Sequence, residues 1–301
     1  MDCKNNEKHI EIVYFSGTGG TARAVDFMEQ SLSTRGCEVH RNLLEKRSNS
    51  EVESSTQYDG FYDILIVIYP VHAFDAPEPV YEWIDKLPQT NGLPAAVISV
   101  SGGGEVWSNT ASRAGCIKAL ERKGYKVFYE RMLIMPSNIV ISTNDHLAMH
   151  LLQCLPIKVE NCISEIMSGT HRRERPQISA RIVSTICKPE KPGVRMFGRN
   201  LAVTDACTGC GWCEKNCPRK NIRMDKGRPT FGWQCVACLR CVYGCPSEAV
   251  YSRIFRFFIV KKGYDLNKLE ERMAGIELKP VEELAKGVFA GLFNYLQHVE
   301  V

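Results

Sequence analysis

The sequence has no apolar run long enough to cross a bilayer. A spanning helix takes ~20 apolar residues, and the longest run, Ile64 to Val71, has only the length of a strand. The first eight residues, Met1 to Lys8, hold no apolar stretch of the secretory kind. No membrane span and a cytoplasmic location are therefore expected. There is little excess of charge of either sign: 38 Lys and Arg face 34 Asp and Glu, a net of +4. With no DNA-binding motif in view, the near-balance argues against a nucleic-acid partner. Disorder is excluded over most of the length, because 44% hydrophobic residues suffice for a buried core. Length and missing export signal also argue against a secreted disulfide scaffold. Of the 14 cysteines, only Cys3, Cys37, Cys116, Cys154, Cys162 and Cys187 are scattered. Such residues read as small core side chains.

The other eight cysteines are packed between 207 and 245. One run places Cys207, Cys210, Cys213 and Cys217 before Pro218, and the second places Cys235, Cys238, Cys241 and Cys245 before Pro246. Both read C-x2-C-x2-C-x3-C-P, and the offset between them is 28 residues, the only internal repeat found. Three thiolates two residues apart let one tight loop wrap three iron corners of a cube. The fourth reaches across to the other cube. That assigns Cys207, Cys210, Cys213 and Cys245 to one [4Fe–4S] cluster, and Cys217, Cys235, Cys238 and Cys241 to a second. A zinc site and a set of disulfides are the alternatives, and zinc ordinarily uses two C-x2-C pairs per metal. Gly209, Gly211 and Ala237 are small, which lets backbone N–H groups approach the sulfides. The segment from about 199 to 255 resembles the two-cluster bacterial ferredoxins.

Charge is uneven around these runs. From Asp205 to Lys262 there are eleven Lys and Arg but four Asp and Glu. Each oxidised cluster with its four thiolates carries about −2, so part of the excess offsets cluster charge. The remainder suits an acidic redox partner protein.

The N-terminal half alternates strands and helices. Strands are predicted at His9 to Phe15, Cys37 to Leu44, Phe61 to Tyr69, Pro94 to Ser101 and Lys126 to Met135. Helices are predicted at Ala22 to Arg35, Pro79 to Leu87, Trp107 to Lys123 and Asp145 to Met167, the last broken near Pro156. Alternation of this kind implies an α/β fold with a doubly wound parallel sheet, whose ligand sits at the carboxyl ends of the strands. Three loops lie there. Ser16-Gly17-Thr18-Gly19-Gly20-Thr21 joins a strand to a helix and reads as a phosphate cradle. No Lys follows its glycines, so it is not a Walker A loop, and it is not G-x-G-x-x-G. The second loop runs from Tyr69 to Pro77 and the third from Ser101 to Trp107.

On these loops, residues 8–168 resemble the flavodoxin family. The resemblance implies a five-stranded parallel sheet that binds FMN. It implies that Ser16, Gly17, Thr18, Gly19, Gly20 and Thr21 hold the phosphate. Tyr69, Pro70, Val71, His72, Ala73 and Phe74 would line one side of the isoalloxazine ring, and Ser101, Gly102, Gly103 and Gly104 the other. Gly20 stands where close relatives often carry Asn, which costs side-chain contacts but keeps the backbone cradle. His72 and Tyr69 are the available proton donors near the ring, although a lone loop His is more often a surface or satisfied residue, and Trp107 is either a stacking partner or a core residue at a helix start.

The whole chain resembles flavodoxin–ferredoxin fusion proteins. The implied division is a flavodoxin-like FMN domain over 1–168, a linker over 169–198, a small α+β two-cluster ferredoxin over 199–262 and a helical extension over 263–301. Leu284, Val288, Leu292, Tyr295, Leu296 and Val299 recur at helical spacing in that extension, a stripe expected to pack on a domain. The implied function is electron transfer between two [4Fe–4S] clusters, FMN and an external redox protein. The alternative is a flavin-dependent reductase of a small acceptor, fed by the clusters.

Overall fold

The computed structural model describes residues 8–45, 61–104, 109–174 and 190–297. Five strands form one sheet: β1 (His9–Tyr14), β2 (Glu38–Leu43), β3 (Ile64–Pro70), β4 (Pro94–Ser101) and β5 (Lys126–Ile134). All neighbours are parallel and the order is β2-β1-β3-β4-β5, the doubly wound order of flavodoxin-like folds. The central strand β3 is apolar throughout and buried on both faces except at its last residue, as helices on both sides of a parallel sheet require.

Successive residues of each strand feed opposite cores. Ile10, Ile12, Ile66 and Ile98 meet α1 (Gly20–Thr34) and α4 (Asp145–Met167). Val13, Leu65, Val67 and Val97 meet α2 (Glu78–Lys86) and α3 (Ala114–Arg122). Helix α1 presents Ala24, Val25, Met28 and Leu32 to the sheet and stops where Gly36 turns left-handed at φ 75°.

Two helices differ from expectation. No break occurs at Pro156: α4 runs through it for 23 residues. Proline removes one helical N–H, while Leu151, Leu152, Leu155, Val159 and Ile163 hold the helix to the sheet on both sides of it. Helix α3 begins at Ala114, not near Trp107, and Trp107 lies outside the described residues. The turn before α3 buries Arg113 completely, with hydrogen bonds to Glu130 at 2.9 Å and the Ser99 hydroxyl at 2.9 Å.

The cysteine-rich part is small. Helix α5 (Glu190–Arg199) leads into β6 (Leu201–Val203), which pairs antiparallel with β9 (Val250–Ser252). The hairpin of β7 (Ile222–Asp225) and β8 (Arg228–Phe231) lies between. Its two-residue turn, Lys226 at φ 46° and Gly227 at φ 77°, takes the left-handed pair that matches strand twist. Two one-turn helices, α6 (Trp212–Lys215) and α7 (Arg240–Tyr243), sit inside the cysteine runs. Phe197 of α5 joins Leu201, Ile222, Phe231 and Val250 in this core. The end of the expected linker therefore packs with the cysteine runs.

The C-terminal extension packs on the α/β unit. Leu266, Leu269 and Met273 of α8 (Leu266–Met273) enter the core shared by α1 and α4. After α9 (Val281–Leu284), α10 (Leu292–Gln297) buries Leu292 and Leu296 against Leu147, Leu151 and Cys154, while Val288 stays exposed. Each such side chain contributes roughly 1.5–3 kcal/mol when fully buried. Among the described residues, no helix is long and apolar enough to cross a membrane.

Candidate cofactor sites

The cysteine runs repeat as backbone as well as sequence. Gly209 (φ 72°) and Gly211 (φ 73°) in the first run correspond to Ala237 (φ 50°) and Leu239 (φ 60°) in the second. Lys220 (φ 51°) and Glu248 (φ 49°), just past the two Cys-Pro steps, form a third pair. Left-handed backbone is cheap for Gly and strained for Ala or Leu. Glycine signalled this backbone at 209 and 211; Ala237 signalled only a small residue, and Leu239 nothing.

The fold gathers the thiols crosswise. Cys207, Cys210, Cys213 and Cys245 line one cavity. Cys217, Cys235, Cys238 and Cys241 line another. No three His, Cys, Asp or Glu side chains among the described residues converge on a single metal ion; each set of four rings a space instead. Desolvation pushes the thiols of Cys235 and Cys238 up to about 12 and about 11. Without a cluster they are protonated at neutral pH, and ligation has to release those protons. Backbone N–H groups already face the sulfurs: Asn221 N donates to Cys217 Sγ at 3.3 Å and Ala237 N to Cys235 Sγ at 3.3 Å.

The two sets differ in surroundings. Cys210 is exposed, and its loop lies beside the β7–β8 hairpin, where a Cβ on Gly209 would come within 2.7 Å of the Gly227 carbonyl oxygen. The second set faces the α/β unit. Val236 and Cys238 pack with Phe15, Val67 and Tyr69.

The Ser16–Thr21 loop tops β1 at the carboxyl end of the sheet. Gly19 is left-handed at φ 94° with open space above it, and α1 has no side-chain cap. Ser16 Oγ accepts from Ala22 N at 3.3 Å, and Thr18 Oγ1 accepts from Asn138 Nδ2 at 2.8 Å. The backbone N–H groups of Thr18, Gly19, Gly20 and Thr21 find no acceptor among the described residues. Four unpaired donors at a helix start, with hydroxyls beside them, are the donor set for a phosphate. The loop thus fits the phosphate of a flavin nucleotide. A cavity of about 420 Å³ opens beside it, lined by Gly17, Thr18, Gly19, Trp212, Arg240 and Tyr264 among others.

The other two loops stand at the same end of the sheet. Pro70, Val71, His72, Ala73 and Phe74 are half-buried, with Ala73 and Phe74 left-handed at φ 50° and 62°. Tyr69 is fully buried behind them, and its hydroxyl donates to the Ser112 carbonyl at 3.2 Å. His72 meets Phe15 edge-on at 6.0 Å. Desolvation, partly offset by a hydrogen bond with the Val236 backbone, lowers His72 to about 4, so it is neutral at pH 7. In the third loop Ser101 is buried and bonded by Gly103 N at 3.2 Å and Asn109 Nδ2 at 3.1 Å. A Cβ on Gly102 would lie 2.6 Å from Ser137 Cα, and one on Gly104 3.0 Å from Leu292. The third loop therefore leans on the β5–α4 connection and on the C-terminal extension.

Between the two parts run contacts that sequence reading did not find. A Cβ on Gly17 would sit 2.5 Å from the Cys238 carbonyl oxygen, so only glycine allows this approach. Arg240 donates to Gly17 O at 3.0 Å, Ser16 O at 2.6 Å and Asn216 O at 3.2 Å, and pairs with Glu45 at 2.5 Å. Arg219, buried, grips Glu82 of α2 with two bonds of 2.6 and 2.7 Å. Tyr243 OH donates to Asn138 O at 2.7 Å. In sequence these three residues were only charges and an aromatic. The available signal was the repeat itself: position 240 matches 212 in the first run, where the residue is Trp.

The family described as 4Fe-4S dicluster domain matches residues 199–246. None of the curated proteins matches the chain. Among solved structures, a Streptococcus pneumoniae flavodoxin is similar at 16% identity, covering 53% of this chain and 98% of its own, with a TM-score of 0.38. A mutant flavodoxin from Pseudomonas aeruginosa follows at 15%, 54% and 97%, TM-score 0.39, and oxidised flavodoxin 2 from Bacillus cereus at 15%, 53% and 98%, TM-score 0.37. Likeness this weak carries no argument; the strand order does. The chain joins a flavodoxin-like α/β unit to a segment that matches the 4Fe-4S dicluster domains.

Proposed function

We propose that this chain relays electrons between two [4Fe–4S] clusters and an FMN, and exchanges them with an external redox protein. Cys207, Cys210, Cys213 and Cys245 hold the outer cluster, and Cys217, Cys235, Cys238 and Cys241 the inner one. Ser16 to Thr21 hold the flavin phosphate, with Tyr69–Phe74 and Ser101–Gly104 as the ring loops. FMN takes up two electrons and passes them on singly, while each cluster carries one. The functional division follows 1–168, 169–198, 199–262 and 263–301, with the helix at 190–199 serving the cluster unit.

The observation that carries the reading is the contact of Cys238 with Gly17. The loop assigned to the inner cluster rests on the loop assigned to the flavin phosphate. The chain's own residues fix that contact: Arg240 from one side, Arg219 on Glu82 from the other. Cys210 is exposed and gives the outer cluster access to a partner. Exposed Lys215, Arg223, Lys226 and Arg228 nearby suit an acidic one.

A reductase would need a proton donor at the ring. Tyr69 spends its hydroxyl on Ser112, and His72 packs on Phe15 beside Val236. Neither favours that alternative. The test is anaerobic: reduce the clusters of the fully loaded protein chemically and follow the flavin absorbance. Bleaching of the flavin without a second protein is expected. Reduced clusters beside a flavin that stays oxidised would refute the relay, and turnover of small acceptors without a protein partner would favour the reductase.

A further inference from the structure

Arg240 occupies an unusual place. It lies inside the second cysteine run, between Leu239 and Cys241, yet all four of its partners lie outside that run. Its guanidinium donates to the carbonyls of Ser16 and Gly17 in the phosphate loop. It also donates to the carbonyl of Asn216, the residue just before Cys217, and pairs with Glu45 beyond the end of β2. Arginine's planar fork is suited to such multiple donation; lysine, a single point of charge, is not.

The two phosphate-loop bonds have a consequence for the opposite side of the loop. In a planar trans peptide the C=O and the next N–H point in opposite directions. Holding Ser16 O and Gly17 O toward Arg240 turns the N–H groups of Gly17 and Thr18 away from it. The Thr18 N–H is one of the donors left without an acceptor. Gly17 is also pinned by the Cys238 carbonyl. The conformation of the second cysteine run therefore sets the aim of donors on the phosphate loop.

We propose that Arg240 is a positioning residue that couples the two cofactor sites, so that filling the Cys217, Cys235, Cys238 and Cys241 site tightens flavin phosphate binding, and the reverse. The inference rests on the reading of Ser16–Thr21 as the FMN phosphate site. Order in the cysteine loop fixes Arg240, and Arg240 fixes the carbonyls that orient the donors. Reciprocity follows because a coupling free energy between two binding sites is shared.

The experiment is an anaerobic titration of FMN, read by quenching of flavin fluorescence, into the full-length chain with clusters built and with clusters removed. Cluster-loaded protein is expected to bind FMN at least about fivefold more tightly, the lower end of ordinary coupling between sites. In Arg240→Ala the two affinities should converge. Arg240→Lys should keep only part of the ratio. Glu45→Gln, which loosens the anchor without touching either cofactor loop, should give an intermediate ratio and serves if R240A fails to assemble its clusters. Lys118→Ala on α3, exposed and remote, should leave the ratio unchanged. Equal FMN affinities with and without clusters would overturn the coupling alone. Absence of FMN binding in the cluster-loaded chain would overturn both the coupling and the flavin reading beneath it.

Discussion

The two cysteine loops are one motif in two environments. Their spacing is identical and their left-handed residues coincide at 209 and 237, 211 and 239, 220 and 248. What surrounds them is not. The first loop carries an exposed Cys210 and leans on a basic hairpin. The second packs Val236 and Cys238 into the sheet's core and reaches the Ser16–Thr21 loop through Arg240. Ligand spacing sets the loop's shape; the residues between the ligands, Trp212 against Arg240 and Gly211 against Leu239, decide what each loop does for the rest of the molecule.

That contrast breaks most visibly at the ligands. Cys210→Ser should remove or degrade the outer cluster, lower iron from about eight per chain toward about four, and leave FMN affinity unchanged. Cys238→Ser should lower iron equally and also weaken FMN, because its loop carries the contact with Gly17. Iron analysis with a flavin titration of both variants reads the difference; equal FMN affinity in the two would erase it.

Next comes the clamp. Glu82→Gln removes the nearer of the two carboxylates beside the buried Arg219, leaving Glu78 at 3.9 Å, and should cost about 1.5–3 kcal/mol, the range for hydrogen bonds to charged groups. Glu82 is partly exposed, which argues for the lower half of the range. Urea denaturation of the loaded protein measures it. The matching change at the outer loop, Asp205→Asn, should cost almost nothing, since Asp205 is fully exposed and its Arg228 partner half-exposed.

A chemical probe separates the loops in cluster-free protein. Only the thiolate reacts, and desolvation holds Cys235 at about 12 and Cys238 at about 11. At pH 8 iodoacetamide should label the exposed Cys210 well ahead of both. Labelling of Cys235 and Cys238 should climb with each pH step up to about 11. Mass spectrometry of the digest gives the order. A raised thiol pKa favours the neutral folded form, so the cluster-free fold should also lose stability as pH rises above about 9.

The smallest expected effect is on backbone strain. Leu239→Gly relieves a left-handed leucine, worth roughly 1–2 kcal/mol, but gives up buried leucine packing and gains unfolded-state entropy. Ala237→Gly gives up less and should be neutral to stabilising by up to about 1 kcal/mol. Gly209→Ala in the first loop should destabilise, because its Cβ meets the Gly227 carbonyl at 2.7 Å.

Much of this molecule was legible in its sequence for local reasons. The strand predicted at Phe61 to Tyr69 forms as Ile64–Pro70, buried on both faces with Phe61 exposed ahead of it, and C-x2-C-x2-C-x3-C-P fixes which thiols share a cavity. What was illegible depends on contacts far apart in the chain. Pro156 signals a break locally, and the packing of α4 along the sheet overrides it. Arg240 and Arg219 read as surface charge until Ser16, Gly17 and Glu82 come to them. The stripe from Leu284 to Val299, whose last residue lies outside the described residues and whose Val288 is exposed, could otherwise be recognised as a packed face, but not which core it joins.

The central claim is that one polypeptide holds both kinds of carrier side by side. Oxygen-free reconstitution followed by iron, sulfide and flavin analysis of the full chain tests it most directly. About eight irons, about eight sulfides and one tightly held FMN per chain are expected; zinc in place of iron, or no flavin retained at micromolar concentration, would contradict the account.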